Sequence, residues 1–447
     1  MLQKVKEDRL IDSLRVTQEK HGKDYWSFKN ASKRRGAHAL IHYPAMMVPN
    51  LQGNILAAIK EVSPKSQKVL DPFVGSGTVL VESMNLGLDF SGVDINPLAV
   101  LSCLAKSGPY FVDAFTDKAA KLVSQIRADG VSRHEATFLS RDKWFETDVA
   151  LGISRVARNI KRVDALWARR LFWLALARVI RTCCNSRNST YKLHIKKAAD
   201  INAAADPVKI FVETIEAYKK HLKDQATDWA AKGLLKQGWY QKSVNITAGD
   251  STSTLQGGGR CYDVIMTSPP YGDNKTTIPY GQYAFLPLQW IPREDISPFI
   301  EAGVLANTHA LDTASLGGSA KNAADRAEEL RAEFESVKKY LAKLSAKGSG
   351  VKRFGAFFGD LDPCIEQICN STNPGGYHAW TIGSRHIEGI RVPMEEILEE
   401  MLDKRDVGTI GRIHRTIHAK KMAARNNLSS TMNTEIIVLA KKSAKKK

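Results

Sequence analysis

The stretch from Lys68 to Val100, KVLDPFVGSGTVLVESMNLGLDFSGVDINPLAV, constrains the chain more than any other. Apolar Val69-Leu70 runs into Asp71-Pro72, and Gly75 and Gly77 mark a turn. The pattern predicts a helix to about Asn85, stopped by Gly87, then a strand through FSGVDI ending near Asp94. Two strands joined by a helix make a βαβ unit, hence a parallel sheet with helices on both faces. In such a doubly wound sheet, ligands bind where strands end at their carboxyl side. The glycines let a ligand approach the backbone where a helix begins. Asp94 lies roughly twenty residues further on, a spacing at which a carboxylate meets ribose hydroxyls.

A second marked strand end is DVIMTSPPYGDN, Asp263 to Asn274. A serine hydroxyl can accept as well as donate a hydrogen bond. Proline fixes φ, so Pro269 and Pro270 stiffen the backbone beside Ser268, and Tyr271 offers a stacking face. A rigid pair of acceptors with an aromatic clamp suits a flipped nucleobase whose exocyclic amine must be oriented to react. In isolation the same string is as readily a turn.

The glycine turn is not a dinucleotide fingerprint, because Leu80 stands where that motif needs a small residue. DPFVGSGT and SPPY together resemble the class I S-adenosylmethionine-dependent methyltransferases, in the form found in amino-methylating DNA enzymes. The resemblance is specific over about 42–100 and 243–290 and looser over 374–442. It implies S-adenosylmethionine as cofactor, held by Asp71, Phe73, Gly75, Ser76, Gly77, Thr78, Asp94 and Asn96. It adds Asp250 of GDS at the adenine and Tyr43, with Pro44, over the methionine part. It makes Ser268, Pro269, Pro270 and Tyr271 the catalytic set acting on a flipped base. Serine opening that motif is typical of N4-cytosine enzymes, and Asp or Asn of N6-adenine enzymes. The glycine turn precedes SPPY here, whereas many N4-cytosine enzymes run the opposite way. An N6-adenine enzyme and an RNA enzyme methylating a base amino group in tRNA stay open as alternatives. So do a cognate restriction endonuclease or defence-system proteins as partners. Asp273, Asn274, Tyr280 and Gln282 are placed at the base pocket, with a plain polar loop as the other reading.

The fold class expected is α/β: a doubly wound, mostly parallel Rossmann-like methyltransferase sheet with a helical insertion. Residues 1–100 and 243–447 would form a discontinuous catalytic domain. Residues 101–242 would be the mostly helical insertion that carries target recognition. One amphipathic helix is predicted near 322–346, with Leu330, Phe334, Val337, Leu341 and Leu344 on one face. GRIHRTIHAKK and NTEIIVLAKK read as two closing strands.

The 447 residues carry a net charge of +18, which points to a polyanionic partner, DNA under the reading above. Between Arg155 and Lys197 there are twelve Lys or Arg and one acidic residue, Asp164. The arginines there are expected to face phosphates, with Arg187, Asn188 and Lys192 as DNA contacts. From Lys404 to Lys447 twelve basic residues stand against Asp406 and Glu435, and Lys420 and Lys421 lie in a basic loop between the last two strands. Six cysteines without CxxC spacing argue against a metal site. The start MLQKVKEDRL lacks a signal-peptide core, and the longest apolar run, LFWLALA, is too short for a bilayer. No membrane association and a cytoplasmic location are expected.

Overall fold

Val264, Ile265, Met266 and Thr267 are all buried, as a strand covered on both faces must be. They belong to a sheet seen in a computed structural model that describes residues 1–29, 34–187, 190–201, 205–270, 272, 278–345, 348–417 and 434–444. The strands among them are β1 (Leu2–Lys4), β2 (Lys68–Asp71), β3 (Asp89–Asp94), β4 (Leu235–Lys236), β5 (Trp239–Tyr240) and β6 (Val244–Ala248). The rest are β7 (Tyr262–Thr267), β8 (Thr372–Gly383), β9 (His386–Ile387), β10 (Ile390–Arg391), β11 (Val407–Thr416) and β12 (Thr434–Lys442).

Eight strands form one sheet in the order β1-β11-β12-β8-β7-β2-β3-β6, while β4–β5 and β9–β10 are small hairpins. The pairings β8–β7, β7–β2, β2–β3 and β3–β6 are parallel. The pairings β8–β12, β12–β11 and β11–β1 are antiparallel. β2 lies between β3 and β7, so the connections leaving β2 and β7 diverge there and open a crevice at their carboxyl ends.

Alternation along the strands divides the core. Val69, Met266, Ala379, Ile437 and Leu439 join the apolar cluster on one face. Leu70, Ile265, Trp380, Ile436 and Val438 join the cluster on the other. The first face is covered by helices at Pro49–Val62, Thr78–Asn85, Pro97–Lys106 and Leu166–Cys183, among others. The second is covered by Gly350–Ser371 and Met394–Asp403, with a shorter pair beside them. The helical stretch between β3 and β6 thus shares one continuous core with the first face of the sheet.

Two expectations need correction. The helix predicted near 322–346 is two helices, Ala323–Glu333 and Glu335–Leu341, separated at Phe334, which is extended (φ −117°, ψ 124°). Leu330, Phe334, Val337, Leu341 and Leu344 nevertheless all enter the same core. The break re-aims the second helix without losing the apolar face. Nor do the arginines of 155–197 mostly face outward. Arg158 is held by Asp129 and Glu135, and Arg169 by Asp295 (Nη2–Oδ1 2.7 Å). Arg170 donates to the Asp295 carbonyl, and Arg181 lies buried over the Tyr283 ring. Acidic residues distant in sequence balance the charges of Arg158 and Arg169 inside the fold.

Candidate active site

The crevice at the carboxyl ends of β2, β3, β6 and β7 is a single cleft. Phe73, Gly75, Ser76 and Thr78 line it from the turn after β2, and Asp94 and Asn96 from the end of β3. Asp250 comes from the end of β6, and Ser268 and Pro270 from the end of β7. Tyr43, Pro44, Met46 and Met47 close one side, and Tyr280 with Leu311 and Leu316 another. The glycine turn and the Ser-Pro-Pro segment therefore share one cavity.

The turn is pinned by its neighbours. Gly75 has φ +50° and Gly77 φ +81°, left-handed conformations that glycine adopts without strain. A Cβ on Gly77 would come within 3.0 Å of Cys103 Sγ. The Gly75 N–H donates to Asp94 Oδ2 and the Asn96 N–H to Asp94 Oδ1, both at 2.8 Å. Asp94 thus shapes the turn while remaining part exposed to the cleft. Burial pushes its carboxyl up to about 6, against the pull of those two backbone donors. Asn96 caps the following helix through Leu98 N and donates to Tyr43 Oη at 2.9 Å. The Tyr43 ring stacks on Tyr280 with centroids 5.9 Å apart. Asp250, exposed, caps its own short helix by accepting from Ser253 N at 3.0 Å.

Asp71 stands apart from this wall. It is fully buried, accepting from Thr267 Oγ1 at 2.6 Å and Phe73 N at 3.1 Å. Its second oxygen has no protein partner, and burial pushes its pKa up to about 7. It couples the ends of β2 and β7 from behind the cleft. Gly77 and Pro269 likewise support the wall without lining it, and Pro269 is buried.

Of the residues singled out in the sequence, Tyr271, Asp273, Asn274, Asn188, Lys420 and Lys421 lie outside the described residues. Arg187 is exposed and Lys192 half-buried. They sit on a turned-back segment closed by the Ser186–Ile195 bridge, with Arg187 N donating to His194 O. That segment docks on the cleft wall: Leu193 N donates to Gln282 Oε1 at 3.2 Å, and Tyr191 packs edge-on to Tyr283. Sequence reasoning missed the wall at 311–316 and Asp312, which accepts from Gly281 N at 2.7 Å and fixes the helix bearing Tyr280. Nothing local marks them, since an apolar residue on a short helix gives no periodic signal. Also missed was Lys106, almost fully buried under the turn, although a lysine within PLAVLSCLAK was a visible anomaly.

Comparison with known proteins bears on what such a cleft serves. A family model, N6_N4_Mtase, described as DNA methylase, matches residues 2–103, which include the glycine turn and Asp94. The Type II methyltransferase M.MvaI of Kocuria varians is 26% identical over 464 aligned positions, covering 98% of this chain and 97% of its own. The rRNA methyltransferase aviRa from Streptomyces viridochromogenes superposes with a TM-score of 0.33 at 10% identity, covering 90% of this chain and 88% of its own.

Proposed function

We propose that this chain is an amino-methylating DNA methyltransferase and that it methylates the exocyclic N4 of a cytosine flipped out of duplex DNA. The family works from S-adenosylmethionine, which when bound supplies an electrophilic methyl group. The observation that carries the reading is that Gly75 and Ser268 line the same cleft.

The residues present fit that cofactor. Gly75 leaves the turn open, with no atom nearer than 3.8 Å to an added Cβ, so a ligand can lie against the backbone. Asp94 keeps lone pairs beyond the two it gives to Gly75 and Asn96, enough to accept from ribose hydroxyls. Asp250 is exposed at the next strand end and can accept from the adenine amino group. Phe73 and Ser76 form the floor, Thr78 begins the helix, and Tyr43 with Met46 and Met47 offers an apolar cover.

The target amine has its lone pair delocalised into the ring and is a weak nucleophile until hydrogen bonds turn it. Ser268 Oγ accepts one amine hydrogen, and a backbone carbonyl stiffened by Pro269 and Pro270 accepts the other. Acceptors fixed before the reaction stabilise the charge that builds on nitrogen, and shared walls supply proximity. Serine ahead of the prolines favours cytosine over adenine. Arg187 and Lys192 would meet phosphates beside the cleft, and a cognate endonuclease would cut the unmodified site.

The test is methyl transfer from labelled S-adenosylmethionine to duplex DNA and, in parallel, to tRNA, with digestion to nucleosides. N4-methylcytosine from DNA is expected. N6-methyladenine would overturn the base assignment, and label confined to tRNA would overturn the DNA reading.

A further inference from the structure

Three side chains of one helix hold the glycine turn from beneath. Along Pro97–Lys106, Cys103 Sγ donates to the Gly75 carbonyl at 3.4 Å. Ser102 Oγ and Lys106 Nζ both donate to the Ser76 carbonyl, at 3.1 and 2.6 Å. In a trans peptide the N–H points opposite to the C=O. With the Gly75 carbonyl held toward this helix by Cys103, the Ser76 N–H of the same peptide is directed away from the helix, and Ser76 lines the cleft.

The third donor is unusual. Lys106 is 1% exposed, and among the described residues no carboxylate pairs with it. Burial lowers its pKa to about 8, which leaves the ammonium largely charged at neutral pH. A lone buried cation is costly, and its field is weakly screened. Across the turn from it lies the cleft, where the Thr78–Asn85 helix begins and its backbone dipoles add the same sign. Both terms favour an anionic group of the ligand at Ser76 and Thr78.

We propose that Lys106 is a positioning residue whose buried charge, anchored at the Ser76 carbonyl and acting across the turn by its field, draws the amino-acid carboxylate of the cofactor to the glycine turn. This rests on the S-adenosylmethionine reading above. Adenosine is gripped elsewhere, at Asp94 and Asp250, so the carboxylate end is the part that Lys106 governs.

Calorimetry on the full chain separates the two ends. S-adenosylhomocysteine carries the carboxylate, whereas 5′-methylthioadenosine keeps the adenosine and thioether without it. Lys106→Gln retains a donor for the Ser76 carbonyl and removes the charge. It should weaken S-adenosylhomocysteine about tenfold, the scale of one partly screened charge pair, and leave 5′-methylthioadenosine within about twofold. Ser102→Ala removes an uncharged donor to the same carbonyl and should shift both ligands together. Equal weakening of both ligands by Lys106→Gln, or weakening of neither, would overturn the proposal. If that variant fails to fold, the wild type decides: the methyl ester of S-adenosylhomocysteine should bind about tenfold more weakly than the acid, and equal affinity overturns the idea. A wild type that binds none of these ligands would overturn the cofactor reading itself, and this proposal with it.

Discussion

Ser268 leaves the sheet half-buried, between the fully buried Thr267 and Pro269. Ser268 lines a cavity that the glycine turn also lines, and under the proposed reading its loss should affect transfer and spare cofactor binding. Ser268→Ala is expected to lower the single-turnover rate about 100-fold, the scale of one lost preorganised hydrogen bond, with S-adenosylhomocysteine affinity unchanged. Asp71 sets a different test. Its folded pKa of about 7 lies above the ordinary carboxylate range, so the folded state holds the proton more tightly than the unfolded chain. Its contribution to stability is therefore fully present below about pH 4 and is lost as pH rises through about 7. Asp71→Asn cannot ionise, so its Tm relative to wild type should climb from pH 5 to pH 8. A pH-independent difference would show that this carboxyl does not titrate there. The sequence marked Asp71 as a motif residue but not its location, because a strand-end aspartate reads the same whether it turns to the cleft or to the neighbouring strand. Only the pairing of β2 with β7 puts Thr267 Oγ1 2.6 Å from it.

At the scale of elements, the βαβ unit at 68–94 was legible because each part carries its own local signal: apolar strands, glycines where φ is positive, and a helix with an apolar face. The break at Phe334 was not legible, since the apolar spacing continues through it. The inward arginines were hidden for a related reason. Arg169 meets Asp295 across 126 positions, and no local pattern announces such a pair. This leaves fewer cations for DNA than a residue count suggests, and makes the segment closed by the Ser186–Ile195 bridge the more telling element. Arg187 is exposed on it, and the segment is fastened to the cleft wall through Gln282. Arg187→Ala should weaken DNA binding and make the slope of log K against log salt shallower by about 0.9, one phosphate contact. An unchanged slope in a binding titration across salt concentrations would remove Arg187 from the interface.

Across the whole molecule, distant parts of the chain build the site and its support. β1, at the start of the chain, pairs with β11, placing Leu2 opposite Ile413. Tyr43, Asp94, Asp250 and Ser268 come from four separate segments to one cleft. Two motifs sufficed to forecast that meeting, because parallel strands align their carboxyl ends and diverging connections open a crevice between them. The wall at 311–316 could not be forecast, since it is held in place by Asp312 on Gly281, a contact that only the folded chain creates. Among the described residues no helix is long and apolar enough to cross a membrane. The net charge of +18 accords with a DNA substrate. The most direct measurement is a crystal structure with S-adenosylhomocysteine and duplex DNA bound together. The cofactor product should lie against Gly75 and Asp94, and an extruded cytosine should place its N4 within hydrogen-bond distance of Ser268 Oγ. A base left stacked in the duplex, or one seated away from Ser268 while the cofactor fills the glycine turn, would contradict the proposed function.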